Sequence, residues 1–224
     1  STVSANTTAG FSIVSYTGTG SAATVGHGLG SELACYIIKQ RDATGGWIVY
    51  HKGNTSSPET DYLRLDKTDA TVDDAIFNDT APTSSVFSIG TNAPVNTSSG
   101  TYIAYCFAEK KGYSKFGSFL GNSSNDGSYI HLGFKPAFVI YKRYDSGSYS
   151  WVLVDNKRNT FNAVDKYVHP DLSAAEGTVT LMDFLSNGFK MRVNDTTSNQ
   201  GSIIYMAFAE SPFVTSSGVP TCAR

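Results

Sequence analysis

Short apolar runs alternate with turns rich in Gly, Ser and Asn along the whole chain. The runs are about four to eight residues long and rich in aromatic and β-branched side chains, which fit a pleated strand better than a helix. Turn residues between such runs are typical of antiparallel sheets. The pattern predicts strands near 11–16, 33–40, 46–51, 61–66, 85–89 and 101–108, and again near 115–120, 136–143, 150–155, 165–169, 187–193 and 202–209.

The last strand of each half is apolar at successive positions, so both of its faces are expected to be covered. A strand of this kind lies in the centre of a sheet. We therefore expect Phe107→Ala and Phe208→Ala each to cost about 3–5 kcal/mol of stability, as other large-to-small core substitutions do. Trp47 and Trp151 each open a strand at matching places in the two halves, and both are expected in the core.

The two halves of the chain resemble each other. Leu29-Gly30 followed by an apolar run matches Leu132-Gly133 followed by another, and residues 100–109 match 201–210. Self-similarity with a period of about 100 residues indicates a duplicated unit. We predict an all-β fold of two tandem antiparallel β-sandwich, jelly-roll-like repeats, over 1–110 and 111–212, with a C-terminal tail over 213–224. The pattern leaves open whether the repeats form two lobes, which we favour, or one fused sandwich.

The composition and charge of the chain argue against two classes of partner, nucleic acids and membranes. The 224 residues are 40% apolar and 16% charged, with a formal net charge of −2. Without a basic stripe the chain is not expected to bind nucleic acid. No apolar run approaches the roughly 20 residues that cross a bilayer, so membrane insertion is not expected either. The polar start without Met is typical of a processed or excised chain, so we expect the natural chain to be longer.

The cysteines and acidic residues give no metal framework. Three cysteines cannot all pair within one chain. Cys35 and Cys106 lie in apolar strands, which favours buried free thiols over the alternative Cys35–Cys106 bridge, and Cys222 falls in the predicted tail. No CxxC pair is present, and the acidic stretch 61–74 lacks the spacing of a calcium loop, so no cofactor or metal is expected.

The usual catalytic motifs are also missing. The chain contains no HExxH, no GxSxG, no P-loop and no dinucleotide-binding glycine motif. Glu109 and Glu210 occupy matching positions, but each ends an apolar strand, and polar termination of a buried strand explains them more simply than a glycosidase pair does. We predict a protein that is not an enzyme and has no catalytic residues.

Two polar loops in the second half carry the candidate ligand-binding residues. Aromatic faces beside Asn and Asp side chains hold sugars by stacking and hydrogen bonding, and Tyr, Ser, Gly and Asn are frequent in adaptable binding loops. Ordinary solvated turns remain the competing interpretation. The candidate residues are Asn122, Asn125 and Tyr129 in the first loop, and Tyr144, Asp145 and Tyr149 in the second.

Several segments resemble one family. They include Tyr102-Ile-Ala-Tyr-Cys-Phe-Ala-Glu109, Met206-Ala-Phe-Ala-Glu210, and the stretches 1–18, 24–30, 81–88, 112–118 and 183–190. Together they look like the C-terminal domain of tail-fibre-like or other virion proteins of marine bacteriophages, and the resemblance covers nearly the whole chain. It implies a place in the virion, an extracellular particle, and supplies no catalytic residues.

The resemblance and the loops lead to one hypothesis and two alternatives. We expect the receptor-binding region of a tail fibre or spike, which recognises a host-surface glycan or protein without catalysis. The first alternative is a purely structural virion module in the capsid or tail scaffold. The second and weaker one is a glycan-degrading enzyme. Besides the host receptor, the expected partners are other virion proteins and two further copies of the chain, because a homotrimer gives avidity and covers strand edges.

Overall fold

The computed structural model describes residues 1–210, so the predicted tail over 213–224 and Cys222 lie outside the described residues. The chain forms two compact units. Within the described residues, the first contains 1–66 and 71–109, and the second contains 67–70 and 110–210. The prediction of an all-β chain built from antiparallel sheets is confirmed. The described part contains a single α-helix, α1 (Ala93–Asn96), which is only four residues long and begins at a proline-containing turn.

The first unit pairs a large sheet with a small one. Its strands are β1 (Thr2–Asn6), β2 (Phe11–Thr17), β3 (Ala23–Gly26), β4 (Cys35–Gln40), β5 (Trp47–His51), β6 (Asp61–Arg64), β7 (Val72–Asp73), β8 (Val86–Ile89) and β9 (Thr101–Phe107). Seven strands form one sheet in the order β1-β2-β9-β4-β5-β6-β7, and β3 pairs with β8. Short 3-10 turns cover Pro58–Thr60 and Ala75–Phe77.

Aromatic side chains fill the space between these two sheets. Tyr36 of β4 stacks on Tyr50 with ring centroids 4.7 Å apart and on Phe87 of β8 at 4.8 Å. Phe77 meets the edge of Tyr36 at 5.1 Å. All four side chains are buried. Such rings remove a large apolar area from water, and their offset contacts add stability beyond that area. The first unit therefore has a core of its own.

The second unit is a sandwich of two four-stranded sheets. Its strands are β10 (Ser114–Leu120), β11 (Tyr129–His131), β12 (Phe138–Arg143), β13 (Val152–Asp155), β14 (Val164–Tyr167), β15 (Gly177–Leu185), β16 (Gly188–Met191) and β17 (Ser202–Phe208). One sheet has the order β10-β17-β12-β13 and the other β11-β16-β15-β14. Phe189 of β16 meets Tyr205 of β17 edge to face at 5.6 Å, so the core lies between the sheets.

The closing strands are central, as predicted, and β17 is buried at successive positions as expected, but β9 is fully buried on one face only. β9 lies between β2 and β4, and β17 lies between β10 and β12. Along β9, Tyr102 and its even-numbered neighbours are buried, whereas Phe107 and its odd-numbered neighbours are half-buried; Phe208 is half-buried too. Because neither side chain is fully buried, we expect Phe→Ala at either position to cost less than it would in a fully covered strand.

The two strand-opening tryptophans occupy different environments, and the two strand cysteines occupy similar ones. Trp151 is fully buried, in line with the prediction, but Trp47 is half-buried and stacks on Tyr105 with ring centroids 6.2 Å apart. Cys35 and Cys106 are both buried free thiols, which agrees with the favoured interpretation. Burial raises the pKa of both, for Cys106 to about 12.

Candidate functional site

The candidate loops leave the same end of the second unit. Leu120 at the end of β10 pairs with Ser202 at the start of β17, and Arg143 at the end of β12 pairs with Ile203. The loops 121–128, 144–151 and 192–201 therefore meet at this end of the sheet, and we call them loops A, B and C. The fold brings the two predicted polar loops, A and B, to opposite sides of loop C.

A buried asparagine holds loop A to loop C. The Asn199 side-chain amide donates to Asn122 Oδ1 at 2.9 Å, to the Ser124 carbonyl at 2.7 Å and to the Val193 carbonyl at 2.9 Å. Its own Oδ1 accepts the backbone N–H of Asn122 at 3.3 Å. Because one side chain satisfies groups on both loops, the position of loop A depends on Asn199.

The predicted residues of loop A play different parts. Asn122 is an internal brace, because its amide also donates to the Asp126 carbonyl at 3.0 Å and its Oδ1 accepts from Ser124 N–H at 3.2 Å. Asn125 is exposed and makes no hydrogen bond within the described residues. Tyr129 is 46% exposed, and its hydroxyl lies 3.3 Å from His131 Nδ1. Asn125 of loop A and Tyr129, which begins β11 directly after it, are thus exposed and do not brace the loop, so a ligand can reach them.

A charged pair flanks Tyr129 on the outer face of the sheet. Tyr129 is paired with Lys190 on β16, and Lys190 Nζ lies 2.5 Å from Asp126 Oδ1. This ion pair lowers the pKa of the Asp126 carboxyl below its ordinary value. Lys115 Nζ donates to the His131 carbonyl at 2.8 Å. The surface therefore combines an aromatic ring with hydrogen-bonding groups of both kinds, which suits a polar ligand with an apolar face.

Arg143 organises loop B. Its Nε donates to Asp145 Oδ1 at 2.7 Å, and its Nη1 donates to the Thr196 carbonyl at 2.9 Å. The guanidinium carbon lies 4.5 Å from the centre of the Tyr149 ring, a cation–π contact that covers one face of the ring. Tyr144 and Tyr149 are both half-buried. A ligand at loop B therefore meets ring edges and the uncovered face of Tyr149.

Asp145 has a structural task. Its Oδ2 accepts the backbone N–H of Ser202 at 2.8 Å, while Oδ1 accepts from Arg143. Burial raises the pKa of Asp145, but these hydrogen bonds outweigh it and hold the pKa below its ordinary value. In the first unit, Asp42 Oδ2 accepts the N–H of Thr101 at 2.7 Å in the same manner. Both carboxylates thus fix the start of a closing strand.

A buried lysine also holds loop B in place through hydrogen bonds to its backbone. Lys142 is fully buried, and its ammonium group donates to the Arg143 carbonyl at 2.8 Å, the Tyr149 carbonyl at 2.7 Å and the Thr68 carbonyl at 3.3 Å. Burial lowers its pKa to about 8. With three donors used on three carbonyls, Lys142 ties both ends of loop B together.

A pocket that the sequence did not suggest lies beside loop C. Its volume is about 180 Å³. Its wall includes Tyr167, His169, Val179, Leu181, Asp195 and Ser198. Tyr167 and His169 meet edge to face, with ring centroids 5.1 Å apart. These residues stand far apart along the chain and belong to no motif. Only the pairing of β14 with β15 and the return of loop C bring them together.

Comparison with known proteins gives a family without an assigned activity. Residues 1–212 match the family described as "Domain of unknown function (DUF7483)". The chain belongs to this family. No curated protein matches the chain. A solved structure described as "Crystal Structure of the STIV MCP" is 9% identical over 88% of this chain and 84% of that one, with a TM-score of 0.21. A superposition this loose carries no argument about fold or function.

Two further observations concern membranes and metals. Among residues 1–210, no helix is long and apolar enough to span a membrane. In the same part of the chain, no group of three or more His, Cys, Asp or Glu side chains is placed to hold a metal ion.

Proposed function

We propose that this chain is a bacteriophage virion protein that binds a host-surface glycan or protein through the loop end of its second unit, without catalysis. The phage setting rests on the family resemblance of the segments named above. The binding role rests on one observation in particular. Loop A is braced by Asn199 of loop C, yet Asn125 of loop A and Tyr129 at the start of β11 are both exposed. A braced loop with exposed aromatic and amide groups is preorganised for recognition.

A purely structural virion module is the second candidate. The observation that favours it is the internal use of Asn122 and Asp145, whose polar atoms are occupied by neighbouring groups. Under this alternative the loops serve only to close the sandwich. The two candidates differ in one measurable respect, which is whether the isolated chain binds a cell surface.

The test is direct binding to cells. Fluorescently labelled chain is incubated with a panel of marine bacterial isolates, and bound fluorescence is measured by flow cytometry. We expect saturable binding to a subset of isolates and at least about tenfold weaker binding for the Asn125→Ala/Tyr129→Ala double variant. Thr91→Ala, an exposed position in the first unit, is the control and should bind as the unmodified chain does. If whole virions bind a host that they infect but the isolated chain does not bind it, the structural module is favoured.

We also propose that the chain acts as a homotrimer. Single sites for surface ligands are weak, and three linked sites raise the apparent affinity without new contacts. The edge strand β1 is exposed at every position, which leaves backbone groups available for pairing. Native mass spectrometry of the virion component should give three copies, and a single copy per assembly would contradict the proposal.

A further inference from the structure

The pocket beside loop C has the dimensions and lining of a site for one sugar ring. Typical ligand pockets hold about 300–1,000 Å³, so a volume of about 180 Å³ suits a single ring better than an oligosaccharide. We propose that this pocket binds one monosaccharide unit of a glycan. The inference deepens the proposed function and rests on it for the biological source of the sugar.

Two polar side chains of the pocket, His169 and Asp195, each carry an acceptor for which the described residues supply no donor. The Trp151 carbonyl, which can only accept, lies 2.7 Å from His169 Nδ1, so Nδ1 carries the hydrogen and Nε2 is an acceptor in the neutral ring. Asp195 Oδ1 accepts the N–H groups of Thr197 at 2.8 Å and Ser198 at 2.7 Å. Its Oδ2 has no hydrogen-bond donor within the described residues. His169 Nε2 and Asp195 Oδ2 are therefore two acceptors that can bind hydrogen-bond donors of a ligand.

The opposite side of the pocket is apolar. Tyr167 is paired with Gly177 across β14 and β15, and its ring lies over the glycine, where a Cβ atom would come within 2.3 Å of Tyr167 Cζ. Val179 is 41% exposed, and Leu181, two residues further along β15, is buried. A pyranose presents C–H groups on its face and hydroxyl donors around its edge. The combination of aromatic and aliphatic walls with two acceptors matches that distribution.

The first unit offers no such site at the corresponding place. Asn96 and Asn199 make the same kind of hydrogen bonds in their own units, so the residues just before them can be compared. Counting back from each asparagine, Asn92 stands where Asp195 stands and Val95 stands where Ser198 stands. The Asn92 amide donates to both carboxylate oxygens of Asp74, and Val95 is fully buried. We therefore place one sugar site on each chain, in the second unit.

The test uses the full chain and free sugars. Glucose, galactose, mannose, rhamnose and N-acetylglucosamine are screened by saturation-transfer NMR, and any binder is titrated into ¹⁵N-labelled chain. We expect at least one sugar to bind and to shift the amide signals of Thr197 and Ser198. Asp195→Asn keeps Oδ1 for the two N–H groups but replaces Oδ2 by a donor. His169→Asn keeps a donor for the Trp151 carbonyl but removes Nε2. Each should weaken the affinity at least about tenfold.

The controls separate this inference from the proposed function. Thr91→Ala should bind the sugar unchanged, and thermal unfolding midpoints show whether the pocket variants remain folded. If no sugar binds, or if binding is unaffected by both pocket variants, the inference is overturned even when the chain still binds cells. If a sugar binds in the pocket but the chain binds no cell, the inference stands and the receptor-binding proposal fails.

Discussion

Asn96 and Asn199 perform the same task in the two units. The Asn96 amide donates to the Ser21 and Gly90 carbonyls at 2.7 Å each, and the Asn199 amide donates to the Ser124 and Val193 carbonyls at 2.7 and 2.9 Å. Each asparagine Oδ1 accepts a backbone N–H, from Thr19 and from Asn122 respectively. The partners follow one another at the same spacing in both halves, which supports the duplication proposed from the sequence.

Removal of either buried asparagine should destabilise the protein strongly. Asn199→Ala leaves two buried carbonyls without a donor, and each unsatisfied polar group costs about 1–3 kcal/mol. We expect a loss of about 2–5 kcal/mol in urea unfolding, and a comparable loss for Asn96→Ala. Thr91→Ala is the exposed control. A change below about 1 kcal/mol in either variant would contradict the bracing role.

Gly121 should not tolerate even a methyl group. A Cβ atom there would lie 2.2 Å from the Asn199 carbonyl carbon and 2.3 Å from Gln200 N, which are backbone atoms that cannot turn aside. Gly121→Ala is expected to lower the melting temperature markedly. Gly26→Ala is the matched control, because the nearest atom to its Cβ is 3.9 Å away. Alanine in that strand should be neutral or stabilise by about 0.5–1 kcal/mol. Equal melting temperatures for the two variants would argue against the close approach.

Stability should fall in alkali because of the buried thiols. Burial raises the pKa of Cys35 and Cys106 above the ordinary value of 9.0. The unfolded chain then releases these protons at a lower pH than the native protein does, so the stabilisation is fully present below about pH 8.5 and declines as the pH rises toward 12.

Urea unfolding between pH 7 and pH 10.5 measures this decline. The Cys35→Ala/Cys106→Ala variant starts from a lower stability but should lose less of it over that range. Parallel curves for the two proteins would show that the thiols do not cause the decline.

The two strand-end glutamates should be nearly dispensable. Glu109 pairs with Lys52 and Glu210 pairs with Lys157, and all four side chains are at least one-third exposed. Exposed ion pairs contribute at most about 1 kcal/mol, so Glu109→Gln and Glu210→Gln should each change the unfolding free energy by less than that amount. Host binding by the proposed receptor site should also be unchanged. A large loss of binding in either variant would give these carboxylates a role in recognition.

The sequence predicted the regular apolar strands well and the exposed or irregular strands poorly. β9 and β17 were recognisable because a strand paired on both sides is apolar at nearly every position. β1 was not predicted, since all five of its residues are exposed and mostly small or polar. β15 was missed although it is nine residues long. Its pairing with β14 shifts register after Val164, so Leu181 and Met182 are both buried and the alternation is broken.

The candidate site was predictable only in part. Loop A and loop B could be recognised from their composition, and both lie at the same end of one unit. The sequence could not show which of their polar groups form hydrogen bonds within the protein. The partners of Asn122 and Asp145 come from loop C and β17, which are distant along the chain. The pocket could not be predicted, because His169 and Asp195 are far apart in the sequence and come together only in the folded chain. The recurrence of Asn96 as Asn199 was visible in the sequence, because these two asparagines are separated by the same number of residues as Leu29 and Leu132, which mark the repeat.

The hydrogen bonds from loop A to Asn199 link the rate at which the bonded loop amides exchange their hydrogens to the stability of the core. Ser123 N–H donates to the Asn199 carbonyl at 2.9 Å, and Asn122 N–H donates to its side chain. These amides can exchange with solvent only when Asn199 leaves its buried place, and that movement breaks the sandwich around it. The amide hydrogens of Asn122 and Ser123 should therefore exchange with deuterium at the slow rate of global unfolding, whereas most surface loops exchange by local fluctuation. The start of loop A is thus as long-lived as the folded second unit.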